Sequence, residues 1–170
     1  MKTLLYILIS IIPIGSHVGY STGDDDLAEI EVVSMLKKVN GVRANGCFCQ
    51  DTYMPSVEPL EWNDLLYKSA LGHAKEMSRY NYFAHYSIYG EDIGDRLDSY
   101  GYNWQVAGEN LGEGQKNFDE VLADWLESKS HCKMLMNPKV QEMAVAKHGR
   151  FWVQHFGKQM PVNYRRVGRK

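Results

Sequence analysis

Residues 142–156, EMAVAKHGRFWVQHF, constrain the fold more than any other stretch. Two short apolar runs flank His148, Gly149 and Arg150, and strands joined by so tight a turn can only be antiparallel. Everything ahead of Pro138 that shows a period shows the helical one. Helices first and strands last predict an α+β domain, a small antiparallel sheet covered by helices.

Three helices are expected. The first carries Leu27, Ile30, Val33, Leu36 and Val39 as its apolar stripe, has three aspartates at its positive end, and stops around Gly41 and Gly46. The second opens at the capping residue Asn63 and runs Leu66, Ala70, His73, Met77 and Tyr80 along one face. The third opens at Asn117, carries Phe118, Val121, Leu122 and Trp125, and breaks near Ser128. Residues 47–62, with Pro55 and Pro59 and no period, read as a loop. Residues 84–105 read as loop too, apart from a short helix over 93–99. The stretch VAGENLGEG, 106–114, reads as a glycine-framed turn presenting Glu109.

The 170 residues, 44% hydrophobic and 24% charged, suit one globular domain. Residues 1–23 have the layout of a secretory signal peptide, with Lys2 ahead of an apolar run over 4–14 and small residues after it. That run is too short to span a bilayer comfortably, so no transmembrane segment is expected after cleavage. The expected organisation is therefore a leader over 1–23, a domain over 24–160 and a basic tail over 161–170. With Lys2 and the four basic residues of the tail set aside, 14 basic side chains face 21 acidic ones. A body of that sign repels nucleic acid phosphates, and no nucleic acid partner is expected.

Behind an export signal, Cys47, Cys49 and Cys132 point to disulfide chemistry ahead of a thiolate metal site. Cys47 and Cys49 are too close along the chain to pair without strain, so one of them is expected to reach Cys132. The loop so closed is worth roughly 4 kcal/mol in the chain-entropy model.

The glycine-rich stretch has the spacing GxxxGxG, with acids where a phosphate would sit, which argues against a nucleotide cradle. GxSxG and HExxH are absent. Of the histidines, His73 is expected as a hydrogen-bonded core imidazole, His148 at a solvent-facing turn, and His155 on the face of the last strand opposite Trp152, Gln154 and Phe156. Neither His148 nor His155 is assigned a site role. His85 and His131, each placed just beyond a helix, can project over a cleft and form a cluster with Glu109. Arg96 is the rival partner that would make Glu109 a strut.

Four segments in this order, EWNDLLYKSALGHAKEMSRYNYFAHYSIYGEDIGDRL, GYNWQVAGENLGEG, VLADWLESKSHCKMLMNPKVQEMAV and FWVQHFG, resemble the CAP superfamily, the secreted SCP-type domain, in its bacterial branch. The resemblance covers residues 61–157. It implies a three-layer α-β-α sandwich with a small antiparallel sheet at its centre. It also implies a cavity lined by two histidines and two acids, which in several members holds a divalent metal. By motif these fall on His85, Glu109 and His131. The fourth position falls on Ser128, where many eukaryotic members carry glutamate; Glu127 is adjacent but turned about 100° away on a helix. The resemblance further implies that Cys49 is the partner of Cys132.

The expected function is a secreted or periplasmic domain whose cleft, formed by His85, Glu109, His131, Glu127 and Ser128, binds a divalent cation such as zinc, a small ligand or a protein partner. The alternative is a metal-dependent hydrolase of peptides or esters, with His85, His131 and Glu109 around the ion and Glu109 as general base. A third reading makes the aromatic loop over 80–104 a contact surface.

Overall fold

The computed structural model describes residues 29–161, with side chains from residue 31 onward. The expected leader over 1–23, the three aspartates after it, and Leu27 of the first stripe lie outside the described residues, as do residues 162–170 of the expected basic tail. The elements in chain order are α1 (Glu29–Asn45), β1 (Cys47–Cys49), β2 (Thr52–Met54), β3 (Glu61–Trp62), α2 (Asp64–Tyr80), α3 (Ile93–Ser99), β4 (Trp104–Glu113), α4 (Phe118–Glu127), α5 (Lys129–Leu135), β5 (Glu142–His148) and β6 (Phe151–Gln159).

The expected C-terminal hairpin is the centre of the sheet. Met143 pairs with Phe156 and His148 with Phe151, leaving Gly149, at φ +57°, and Arg150 as the turn. The strand order is β3-β5-β6-β4, antiparallel except where the two-residue β3 runs parallel to β5. Residues 151–157 of β6 are buried at every position, because helices cover both faces. On one face Met143, Val145, Trp152 and Phe156 pack with Met35 and Val39 of α1, Phe118, Val121 and Trp125 of α4, and Leu135 of α5. On the other, Ala144 and Ala146 let α2 approach closely, and its Leu66, Ala70, Ala74 and Met77 fill the space with Leu97 of α3. This is the three-layer α-β-α arrangement.

Local chemistry sets the helix ends. The Asn63 side chain accepts from the backbone N–H groups of Leu65 and Leu66, and Asn81 closes α2 in the left-handed conformation at φ 51°. Asp92 and Asp95 form a reciprocal capping box at the start of α3. Ser128, extended at ψ 121°, separates α4 from α5 where a break was expected.

Three expectations are corrected. The helix α1 continues through Gly41 and ends at Asn45, beside the expected Gly46 at φ +69°; its buried line is Met35, Val39 and Arg43, spaced by four, and Val33, placed on the stripe, is 58% exposed. Arg43 belongs in that line because its guanidinium donates to the carbonyls of Glu58, Leu135 and Asn137, which ties α1 to the end of α5. Residues 47–62 are not a plain loop: β1 and β2 form a hairpin, with Phe48 and Tyr53 paired on its outer side. Tyr80, placed on the apolar face of α2, is 44% exposed at the end of the helix.

Candidate functional site

The largest correction concerns Glu109. Residues 106–113 are not a turn but most of β4, paired residue by residue with β6. The glycines serve close packing instead. A Cβ on Gly108 would lie 2.4 Å from Met134 Sδ of α5, and one on Gly112 would lie 2.5 Å from Val121 of α4. Only Gly114, at φ +98°, uses the freedom of a left-handed backbone.

On β4, Glu109 points to the α2 side and is only 3% exposed. Both carboxylate oxygens are engaged. Oε1 accepts from His85 Nδ1 at 2.7 Å, and Oε2 accepts from Arg96 Nη2 at 2.8 Å and from His155 Nε2 at 2.8 Å. The Arg96 pair raised as a rival is thus present. The same Arg96 donates to the carbonyls of His85 and Glu91, so one buried guanidinium holds the loop bearing His85 against β4. His73, buried as expected of a core imidazole, donates from Nε2 to Ala84 O at 3.0 Å and stands 3.9 Å from Glu109 Oε2.

Sequence reasoning missed His155. Its alternation was read correctly, since Val153 shares its face and Trp152 and Phe156 occupy the other. What alternation does not supply is the β4–β6 register, which sets Glu109 opposite His155.

The electrostatics follow from this packing. Burial drives the Glu109 carboxyl upward, but hydrogen bonds from His155 and His85 and the Arg96 charge outweigh it, so the acid stays ionised far below the usual carboxylate range. The His85 imidazole is pushed above its ordinary value, first by its hydrogen bond to Glu109. His155 and His73 are pushed down, chiefly by burial. His131 is lowered, first by burial and then by the nearby charge of His85.

His131 sits on α5 itself rather than beyond a helix, and its backbone carbonyl accepts from Asn110 Nδ2 at 3.2 Å. Because β4 is the edge strand, a cleft runs along it, about 380 Å³ in volume, lined by Phe83, Leu111, Gly112, Glu113, Gln115, Asp124, Trp125, Ser128 and His131. Ser128 therefore lines the cleft with His131. Glu127 is exposed at the end of α4 and is not among the lining residues. His85, 56% exposed, stands two residues beyond the lining residue Phe83. Among the described residues, the three sulfurs of Cys47, Cys49 and Cys132 are the group of His, Cys, Asp or Glu ligand atoms that lie within 4.8 Å of one another. The atoms of His85, Glu109 and His131 are spread more widely. Cys49 and Cys132 are joined by a disulfide, with Cys47 left as a thiol.

The helix-covered sheet with β4 at its edge has the fold of an SCP-type domain. The chain belongs to the CAP family, the cysteine-rich secretory protein family, whose sequence profile matches residues 36–156. Among relatives, YkwD of Bacillus subtilis (strain 168) is 36% identical over 103 residues, 59% of this chain and 40% of YkwD. The membrane protein YlbC of the same organism is 31% identical over 100 residues, 59% of this chain and 29% of YlbC. The matches thus span less than half the length of either relative. Among solved structures, an extracellular protein containing a SCP domain from Bacillus anthracis str. Ames superposes with a TM-score of 0.67 at 27% identity, over 76% of this chain and 40% of that one. An outer surface protein of Borrelia burgdorferi shares the fold, with a TM-score of 0.66 at 20% identity over 79% of this chain and 97% of that one. Among the described residues, no helix is long and apolar enough to cross a membrane.

Proposed function

We propose that this is a secreted CAP domain whose β4-edge cleft binds a divalent cation through His85 and His131 without catalysing hydrolysis. Glu109 acts behind them as the positioning group. The observation that carries this reading is the 2.7 Å hydrogen bond from His85 Nδ1 to Glu109 Oε1 on a half-exposed imidazole. A carboxylate on one ring nitrogen fixes the tautomer and orientation of a ligating histidine and leaves Nε2 for the ion. His131, its pKa lowered, is neutral near pH 7 and so suited to a metal.

Two imidazoles are fewer protein ligands than either a closed structural zinc site or an open three-ligand one supplies, so water would complete most of the shell. The same geometry disfavours the hydrolase. A general base must be able to take a proton near the working pH, whereas Glu109 is held ionised by Arg96, His155 and His85 and is buried away from the cleft. Export is supported by the signal-like leader, the Cys49–Cys132 disulfide and the extracellular Bacillus anthracis relative.

Zinc titration calorimetry tests the proposal. The protein should bind zinc, His131→Ala should lose that binding, and peptide and ester substrates should show no turnover above the zinc-only blank. Turnover abolished by Glu109→Gln would replace this reading with the hydrolase, and absence of zinc binding would remove it.

A further inference from the structure

Three sulfurs meet where the β1–β2 hairpin packs on α5. Side chains two apart on a strand point the same way, so Cys47 and Cys49 both face the helix while Phe48 between them is 68% exposed on the other side. Cys49 and Cys132 are fully buried and bonded to each other. The half-buried Cys47 thiol lies with its Sγ 3.7 Å from Cys132 Sγ, in contact with the bonded sulfur. The three sulfur atoms all lie within 4.8 Å of one another.

We infer that Cys47 is an internal exchange thiol, and that the disulfide can move from Cys49–Cys132 to Cys47–Cys132. The thiolate of Cys47 attacks Cys132 Sγ, the new Cys47–Cys132 bond forms as the Cys132–Cys49 bond breaks, and Cys49 leaves as the thiolate. The proton lost by Cys47 is matched by one taken up at Cys49. One disulfide and one thiol stand on each side of the step, so no outside oxidant or reductant is consumed.

The exchange moves the anchor point of the hairpin on α5 by two residues of β1, about 7 Å of extended chain. Cys132 adjoins His131, so the device acts beside the proposed cation site but does not depend on a cation binding there. Burial raises the Cys47 thiol, which keeps it mostly protonated near neutral pH and makes the exchange slow there and faster in base.

Peptide mapping of the protein folded without reductant tests this. Samples held at pH 6.5, 7.5 and 8.5 are quenched in acid, alkylated and digested without reduction, and fragment-ion sequencing across Phe48 locates the alkyl group. The expected result is label on both Cys47 and Cys49, with the two linked forms interconverting about tenfold faster per pH unit. Label on Cys47 alone, at every pH and time, overturns the inference. A Cys49→Ser variant gives an independent reading: refolded in a glutathione buffer, it should contain no free thiol and carry no glutathione, the second thiol having displaced it. Two free thiols in a folded Cys49→Ser protein would show that Cys47 does not reach Cys132, and if that variant does not fold, the wild-type mapping decides.

Discussion

Glu109 and His155 stand directly opposite each other across the β4–β6 ladder, and their side chains meet at 2.8 Å in the interior. That pairing turns a surface-looking acid into the hub of a buried polar network. Arg96 shares the same oxygen, so the interior holds a carboxylate, a guanidinium and the His155 imidazole together, with the half-exposed His85 bonded to the other carboxylate oxygen from outside.

Glu109→Ala should therefore cost far more than an ordinary carboxylate deletion. It would leave the Arg96 guanidinium, 5% exposed, without its counter-charge. Removing one partner of a buried pair costs about 3–5 kcal/mol. Urea unfolding of wild type and variant measures this directly, and a loss below about 1 kcal/mol would show that the network does not act as a unit.

Stability should fall as the medium is acidified, in two stages. His155 and His73 have folded pKa values below the ordinary value of 6.5, so the unfolded chain binds their protons first and stability drops as pH falls below about 6.5. Glu109, depressed from 4.5, contributes stability that is present above that value and is lost as pH falls towards its folded pKa. His85 acts in the opposite sense, its contribution being full below 6.5 and lost as pH rises through its raised value. Urea midpoints from pH 8 to pH 4 should show a decline that is shallower between pH 7 and 5 in His155→Gln; an unchanged slope would mean that His155 titrates alike in the folded and unfolded chain, and a steeper one that it holds its proton in the folded protein.

Gly108→Ala should destabilise through α5. The added methyl would meet Met134 Sδ at 2.4 Å, but this is the far end of a flexible, half-buried side chain that can swing aside, so the cost falls at the low end of overpacking, about 1 kcal/mol. Met134→Ala should recover most of that loss when combined with it, in a double-mutant cycle read by thermal unfolding. Additive losses would place the cost in the strand itself.

Much of the fold was legible because local chemistry and tertiary packing agree. The Asn63 cap, the α2 stripe from Leu66 to Met77, the 93–99 helix, the Ser128 break and the β5–β6 turn each carry a signal within a few residues. The strand β4 was not legible, because Gly108 and Gly112 were read as conformational freedom, whereas they make room for Met134 and Val121 approaching from helices distant in sequence. The buried line of α1 depends on Arg43, a residue that looks exposed until three carbonyls are found around it. In the candidate site, His85, Glu109 and His131 could be picked out by motif, and Arg96 as a rival partner. The closure of Glu109 by His155 depends on strand register, which no single segment encodes.

Under the proposed function, His85 and His131 act together on one ion while the buried imidazoles do not. Histidine-detected NMR during a zinc titration, on Cys47→Ser protein so that no free thiol competes, tests it most directly. The His85 and His131 ring signals should shift together along one binding curve, with affinity rising as pH passes the raised value of His85, while His73 and His155 stay unmoved. Shifts at one of the two without the other, or none at either, would contradict the account.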